Sequence, residues 1–367
     1  MRPEDSTALK WRDSAPTPIR TGYNIYQIAK AAGVSIATVS RVLNNRSSVS
    51  PETRREVLAC MKRLSYVPRR GGIDRAPTIG VLLEYSTPSP AMTPYVAEVI
   101  GGVSSFADQN GLSLEVFSFD QPRIRERGLT SYLRETAIDG AVILLSNDQS
   151  HYIHQLEEDH FPCVIINNRM GGKVRFVDVD NRSGAEMAMN HLASLGHRRI
   201  AFLGGNLNNE SLRERYEIHQ AALRKNGIAN PEALAFLERP PHASNHLQEG
   251  YEKTKQLLAG RQEFTSIFCA TDELAFGSIR ALVDSGLRVP GDVSVVGFDD
   301  CEMASYISPS LTTVRQPLRD MGSGAARILL DVIEGFRHGE WEPGDNTPGI
   351  IEPAKMVIRE STGPAAR

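Results

Sequence analysis

Ser35, Thr38, Ser40 and Arg41 place three short hydroxyls and a guanidinium directly after the sharp Gly33-Val34 turn. Short hydroxyls suit phosphate oxygens, and an arginine presents a two-pronged donor fork that matches the O6 and N7 edge of guanine. Ile36 and Ala37, at the start of the same stretch, are apolar residues suited to pack on thymine methyl groups. Residues of these types in this order point to reading a duplex, with no bond made or broken.

Other clusters carry less. His151, His154 and His160 stand beside Glu157, Glu158 and Asp159. Their spacing is loose for a metal site and ordinary for the polar face of a helix. Asp299-Asp300 has the composition of a catalytic acid pair. Adjacent residues at the end of an extended strand point in opposite directions, so the pair reads as structural, at a crossing between lobes. Gly204-Gly205 fits neither a Walker loop nor GxGxxG, and the chain carries no Ser-His-Asp elbow motif. The expectation is no catalytic residue, no metal and no cofactor.

The elements that must position the recognition residues are marked by start and stop signals. Asn24 as N-cap with Gln27 three residues on opens a first helix, with Ile25, Ile28, Ala29 and Ala32 along one face and Gly33 to stop it. Ser35 caps a second helix that runs to Asn44. Ser50 caps a third, with Pro51 at its first position and Val57, Met61 and Leu64 repeating at helical spacing before Tyr66 and Pro68. A helix, a tight turn and a second helix with a small polar outer face form the geometry that lays a recognition helix in the major groove.

Charge supports a polyanion partner. Residues 22–70 carry nine basic side chains against Glu52 and Glu56, so this segment is +7 in a chain of net charge −3, leaving −10 elsewhere. The overall balance excludes a uniformly basic binder. At 367 residues, 41% hydrophobic and 23% charged, the chain has room for two or three domains and enough apolar surface for their cores, which excludes global disorder. The four cysteines, Cys60, Cys163, Cys269 and Cys301, lie far apart without CxxC spacing, which fits a reducing cytoplasm and neither a zinc ribbon nor a disulfide scaffold. Neither an apolar membrane-length run nor a signal-peptide core is present, so a cytoplasmic location without membrane contact is expected.

Residues 1–21 read as a flexible tail, 22–68 as the helix-turn-helix domain, and 69–77, rich in Gly, Pro and Arg, as a linker. From residue 78 to 360, strand-like runs such as 79–83, 114–117, 141–145, 164–166, 200–203, 266–269 and 293–298 alternate with amphipathic segments 95–109, 183–195, 212–226 and 273–284. This βαβα order predicts parallel sheets covered by helices, and its length predicts two lobes with a cleft between them. Residues 361–367 form a short polar tail, without the leucine heptads of a tetramerising coiled coil.

The run from Asn24 to Asn44, followed by Val49-Ser-Pro-Glu-Thr-Arg54 and Tyr66-Val-Pro68, closely resembles the DNA-binding domain of the lactose/galactose repressor family. Further motifs resemble that family's effector-binding domain: Asp180-Asn181 with Gly184, Gly196-His197-Arg198-Arg199-Ile200, Thr271-Asp272-Glu273, Val296-Gly-Phe-Asp-Asp300 and Pro309 to Pro317. The resemblance covers about residues 23–360. It implies an all-α helix-turn-helix head on a two-lobed α/β core like that of periplasmic binding proteins. It further implies a homodimeric transcriptional regulator, a repressor that binds double-stranded operator DNA under control of a small effector, a sugar or sugar derivative.

Carried over residue by residue, the resemblance makes Ile36 and Ala37 the pair that chooses the operator and Arg41 a base reader. Tyr26, Ser35, Thr38, Ser40 and Asn44 become contacts to the DNA backbone. In the core it makes Tyr95, Asn167, Arg215 and Asp272 effector-binding residues, although Asp272 also suits a helix N-cap. Ile218 and His219 depart from the glycine and aromatic that follow the arginine in the family's pattern. The linker departs too: it lacks the Ala-Arg-x-Leu hinge helix, is about four residues shorter, and has Gly71-Gly72, each costing a helix roughly 1 kcal/mol relative to alanine. Arg69, Arg70 and Arg75 are expected to grip phosphates or a narrow minor groove electrostatically.

Overall fold

The computed structural model describes residues 25–43, 49–64, 76–83, 93–118, 124, 128–144, 146, 150–170, 174–238, 245–260, 262–338 and 349–365. Expectations placed on Asn24, Asn44, Tyr66, Pro68, Arg69, Arg70, Gly71-Gly72, Arg75, Leu145 and residues 1–21 lie outside these, as do the side chains of Tyr26 and Ser40.

Three helices, α1 (Ile25–Ala31), α2 (Ile36–Leu43) and α3 (Pro51–Arg63), share one small core of Ile28, Ala29, Val39, Val42, Val57 and Met61. The end of α1 and the starts of α2 and α3 follow the capping signals. Gly33 adopts φ +65° and ends α1, with Val34 N donating to Ala29 O at 3.0 Å, the closure that left-handed glycine permits. Ser35 Oγ accepts from Thr38 N at 3.1 Å and Ser50 Oγ from Thr53 N at 3.2 Å, so both hydroxyls cap their helices.

The first lobe is built from β1 (Thr78–Leu83), α4 (Pro94–Gln109), β2 (Ser113–Ser118), α5 (Leu129–Glu135), β3 (Gly140–Leu144), α6 (His151–Glu158), β4 (Cys163–Ile166) and β5 (Arg175–Val179). The second follows with α7 (Asn181–Ser194), β6 (Ile200–Leu203), α8 (Glu210–Lys225), β7 (Ala235–Phe236), α9 (His246–Ala259), β8 (Ser266–Cys269), α10 (Asp272–Asp284), β9 (Ser294–Asp299) and β10 (Thr312–Arg315). The chain then returns through α11 (Leu318–His338) to β11 (Ile350–Glu352) in the first sheet and ends its last strand, β12 (Lys355–Val357), in the second.

Among the described residues each lobe holds one six-stranded sheet, in order β11-β5-β4-β3-β1-β2 and β12-β10-β9-β8-β6-β7. The expected parallel arrangement holds for every pair except β10 with β12, which is antiparallel because the chain enters β12 directly from the neighbouring lobe. Fully buried strands such as β3 and β6 are continuous apolar runs, as strands covered on both faces tend to be. β5, β10, β11 and β12, which flank the crossings between lobes, escape that pattern: Arg175, Thr312, Thr313, Glu352 and Lys355 interrupt it.

Three crossings join the lobes, after Val179, Arg315 and Glu352. Asp180 N donates to Glu352 O at 2.8 Å, tying the first crossing to the third. Glycines permit the closest helix pairings. A methyl on Gly102 of α4 would strike the Arg319 carbonyl of α11, and one on Gly277 of α10 would strike the Leu247 carbonyl of α9. Residues 361–365, expected as a mere tail, are bound along the second lobe: Val295 N donates to Ser361 O at 2.8 Å, Ser361 Oγ to Val295 O at 2.6 Å, and Ala365 N to Leu195 O at 2.9 Å. No helix among the described residues is long and apolar enough to cross a membrane.

Candidate functional site

Two separate sites emerge. On α2, Val39 and Val42 are buried in the head's core, which turns Ala37 and Arg41 outward. Ser35 is also exposed; Ile36 and Thr38 are half-buried, with Ile36 packed against the core edge. The Arg41 guanidinium has no partner among the described residues and is available to a ligand. Arg54 Nη1 of α3 donates to the Val42 carbonyl at 3.4 Å, holding the end of α2 against its neighbour. Among the described residues, the outer face of α2 is therefore small and polar and carries the unpaired Arg41 guanidinium, on a helix whose orientation is set by buried valines.

The second site lies at the carboxyl ends of the strands, where the two lobes meet. Asn167, just past β4 with φ 58°, donates its Nδ2 to Tyr95 Oη at 2.7 Å and to Gln316 Oε1 at 3.3 Å. Gln316, on the second crossing, donates Nε2 to Asp299 Oδ1 at 2.7 Å, and Asp299 Oδ2 accepts from Asp272 N at 3.3 Å. A polar relay thus runs from the first lobe into the second. Among the described residues, Asn167 Oδ1 is buried without a partner, as is Ser146 Oγ just past β3. Buried acceptors left unpaired at the interlobe surface are places a ligand hydroxyl or water can satisfy.

Arg215 of α8 is buried against this relay. Its Nε donates to Asn181 Oδ1 at 2.9 Å, its Nη1 to Ala270 O at 2.6 Å, and its guanidinium lies 3.5 Å from the Phe298 ring centroid. The charges it feels most are Asp299 and Asp178. Burial, with Asp299 second, pushes the Tyr95 phenol far above its ordinary pKa, so it stays a hydroxyl donor at any physiological pH.

Of the four core residues marked by the sequence, Tyr95 and Asn167 meet directly and Arg215 lies close enough to feel Asp299 and Tyr95. Asp272 differs: it is wholly buried, its Oδ1 accepts from Thr313 Oγ1 at 2.5 Å, and its Oδ2 accepts from Cys301 N at 3.0 Å. It fastens α10 to β10 and to the turn after β9, so its oxygens serve the fold. Nor does it cap α10, because Thr271 Oγ1 accepts from Leu274 N at 3.3 Å. Burial raises the Asp272 carboxyl to about 6 and, with the neighbouring Asp272 charge, the Glu273 carboxyl to about 7.

Asp299 and Gln316 are the site residues that sequence reasoning missed. Their signal lies in the Val296 to Asp300 and Pro309 to Pro317 motifs, but by spacing alone the acid pair reads as structural. The pair splits. Asp300 binds Arg315 and Arg359 at 2.5 and 2.6 Å, while Asp299 faces the crossing. The backbone there is not extended, since φ is 138° at Asp299 and 57° at Asp300. His219, in the aromatic's place, is buried with Nε2 donating to Ile200 O at 2.8 Å and its ring 5.1 Å from Phe202. In the histidine cluster, His154 lies 3.8 Å from Glu157 on an exposed helix face.

A small recognition-helix head joined to a two-lobed α/β core defines a DNA-binding regulator. Over residues 24–69 the chain matches the bacterial regulatory proteins of the lacI family, and over 189–362 the periplasmic binding protein-like domain. It is 31% identical over 345 residues to the HTH-type transcriptional regulator RegA of Clostridium saccharobutylicum, across 92% of this chain and 99% of the relative. Among solved structures, it is similar to the transcriptional regulator CelR-cellobiose complex, with TM-score 0.68 and 30% identity over 92% of this chain and 99% of that one. It is also similar to the lac repressor dimer bound to operator and the anti-inducer ONPF, with TM-score 0.66 and 28% identity over 93% and 99%. The chain belongs to the lacI family: it is an HTH-type transcriptional regulator.

Proposed function

We propose that the protein is a cytoplasmic, non-enzymatic repressor that binds a roughly palindromic operator as a homodimer and answers to a small carbohydrate. Residues 22–68 are the reading head, 69–77 a short hinge, and 78–360 the effector-binding and dimerising core. Ile36, Ala37 and Arg41 read bases, while Tyr26, Ser35, Thr38, Ser40, Asn44, Arg69 and Arg70 hold the DNA backbone. Two linked heads make the second half-site contact intramolecular.

The observation that carries the effector reading is the relay from Tyr95 through Asn167 and Gln316 to Asp299, with an acceptor on Asn167 that is buried and unpaired among the described residues. Tyr95, Asn167 and Arg215 offer a hydroxyl, an amide and a guanidinium beside the Asp299 carboxylate, a mixed donor and acceptor set suited to sugar hydroxyls. The relative solved with cellobiose supports that class. A ligand seated there touches both lobes, so it shifts their arrangement only by binding one arrangement better than the other.

Selection of genomic DNA by the purified protein, with and without a panel of sugars, tests the reading, together with thermal shifts of the full chain. Enrichment of a two-fold symmetric sequence, changed by the same sugar that raises the melting temperature, is the expected result. Loss of all preference over random competitor DNA, whatever sugar is supplied, overturns it.

A further inference from the structure

A second set of contacts bridges the lobes at the edge of the cleft. Arg169, two residues past Asn167 in the first lobe, donates Nη2 to Glu214 of α8 at 2.8 Å and its backbone N–H to Glu210 at 3.2 Å. Its Nε holds Asp178 of its own lobe at 2.9 Å, so the guanidinium is anchored before it reaches across. The Asn167 carbonyl accepts from Ser211 Oγ at 2.9 Å and from Asn209 Nδ2 at 3.3 Å, and the same amide reaches Ser146 O at 3.0 Å. Asn209 is also the N-cap of α8, its Oδ1 accepting from Leu212 N at 3.0 Å. The first turn of α8 is thus fixed at once to its own helix and to the opposite lobe.

We propose that residues 167–169 and the first turn of α8 form a latch that holds the lobes closed without any effector, with Glu210 and Glu214 as its release point. The side chains of Arg169 and Glu214 are only 21% and 12% exposed, so salt screens the pair weakly. The left-handed backbone at Asn167 turns the chain sharply out of β4 and lets one residue serve two elements. Its side chain joins the cleft relay, and its carbonyl joins the latch. A ligand drawing on Asn167 Oδ1 therefore pulls on the segment that holds the lobes together. That coupling rests on the effector reading; the latch itself does not.

Nitroxides at Ser131→Cys and Ala221→Cys, both exposed and on opposite lobes, report closure in the full chain by pulsed electron resonance. The four native cysteines are buried. Labelled chain is diluted with unlabelled chain, and no ligand is added. Glu210→Gln with Glu214→Gln is expected to lengthen and broaden the distance distribution. Glu217→Gln, on the same helix but paired with Arg182 at 3.0 Å inside the second lobe, is expected to leave it unchanged. Asn209→Ser, which keeps a capping oxygen and loses the donor to the first lobe, gives a second reading should the double variant not fold. An unchanged distribution in a cooperatively melting latch variant overturns the proposal, as does equal lengthening in Glu217→Gln. Failure to respond to any sugar bears on the effector reading and leaves these distances standing.

Discussion

Asn167 Nδ2 and Tyr95 Oη meet at 2.7 Å, although 72 residues separate them in the chain. The amide donates, so the phenol accepts, and its own proton is left for a ligand. Tyr95→Phe removes that donor without changing the ring. Effector affinity is expected to fall about two- to thirteenfold, the loss of one net hydrogen bond of roughly 0.5–1.5 kcal/mol. Calorimetric titration checks this, and an unchanged affinity excludes Tyr95 from the contact.

Asp272 and Asp299 are expected to separate by phenotype. Asp272→Ala leaves the Cys301 amide and the Thr313 hydroxyl unpaired in the interior, on the order of 1–3 kcal/mol for each. Denaturant unfolding should report that loss, with effector affinity retained by the folded fraction. Asp299→Asn keeps the size of the side chain and should abolish the effector's influence on operator binding while the protein still melts cooperatively.

Arg41→Ala is expected to cost about 1–3 kcal/mol of discrimination at one base pair. Binding measured on a set of single-substituted operators distinguishes the roles. An equal loss on every sequence would make Arg41 a phosphate clamp.

Acid stability should carry the signature of His219. Burial holds this imidazole at about 4, below its ordinary 6.5, so below 6.5 the unfolded chain takes up a proton that the folded chain refuses. Stability contributed by the neutral ring is lost as pH falls through that window, on the order of 3 kcal/mol by pH 4. The carboxyls of Asp272 and Glu273, raised to about 6 and about 7, act oppositely: they favour the folded state when protonated, and that contribution fades as pH rises through their window. His219→Gln should therefore become more stable relative to the parent as the solution is acidified. Urea melts of both proteins at matched pH values test this, and parallel curves would exclude it.

Gly102→Ala should destabilise the first lobe by about 1–3 kcal/mol, since its methyl meets the Arg319 carbonyl and α4 must move from α11. Thermal unfolding reads the effect; an unaltered midpoint would mean that the two helices are not packed this closely in solution.

The head was legible because its signals are local: Ser35, Ser50, Pro51 and Gly33 each act within four residues of themselves. The alternating core was legible for a similar reason, since a strand covered on both faces is an unbroken apolar run. The crossings were not. Gln316 lies in a polar segment whose meaning depends on Asn167 and Asp299, residues brought to it by two different sheets. Asp272 and Asp299 illustrate the same limit. Both are acids at strand ends, and only the positions of Thr313 and Cys301 reveal that the first is already occupied by its own fold.

β11 and β12 lie only two residues apart, yet one completes the first sheet and the other the second. During synthesis the first sheet is complete only once Glu352 has left the ribosome, and the second only once Val357 has followed. The two halves then mature together, so a nascent chain holds both sheet edges open and relies on chaperones or speed to keep them from pairing with a neighbour.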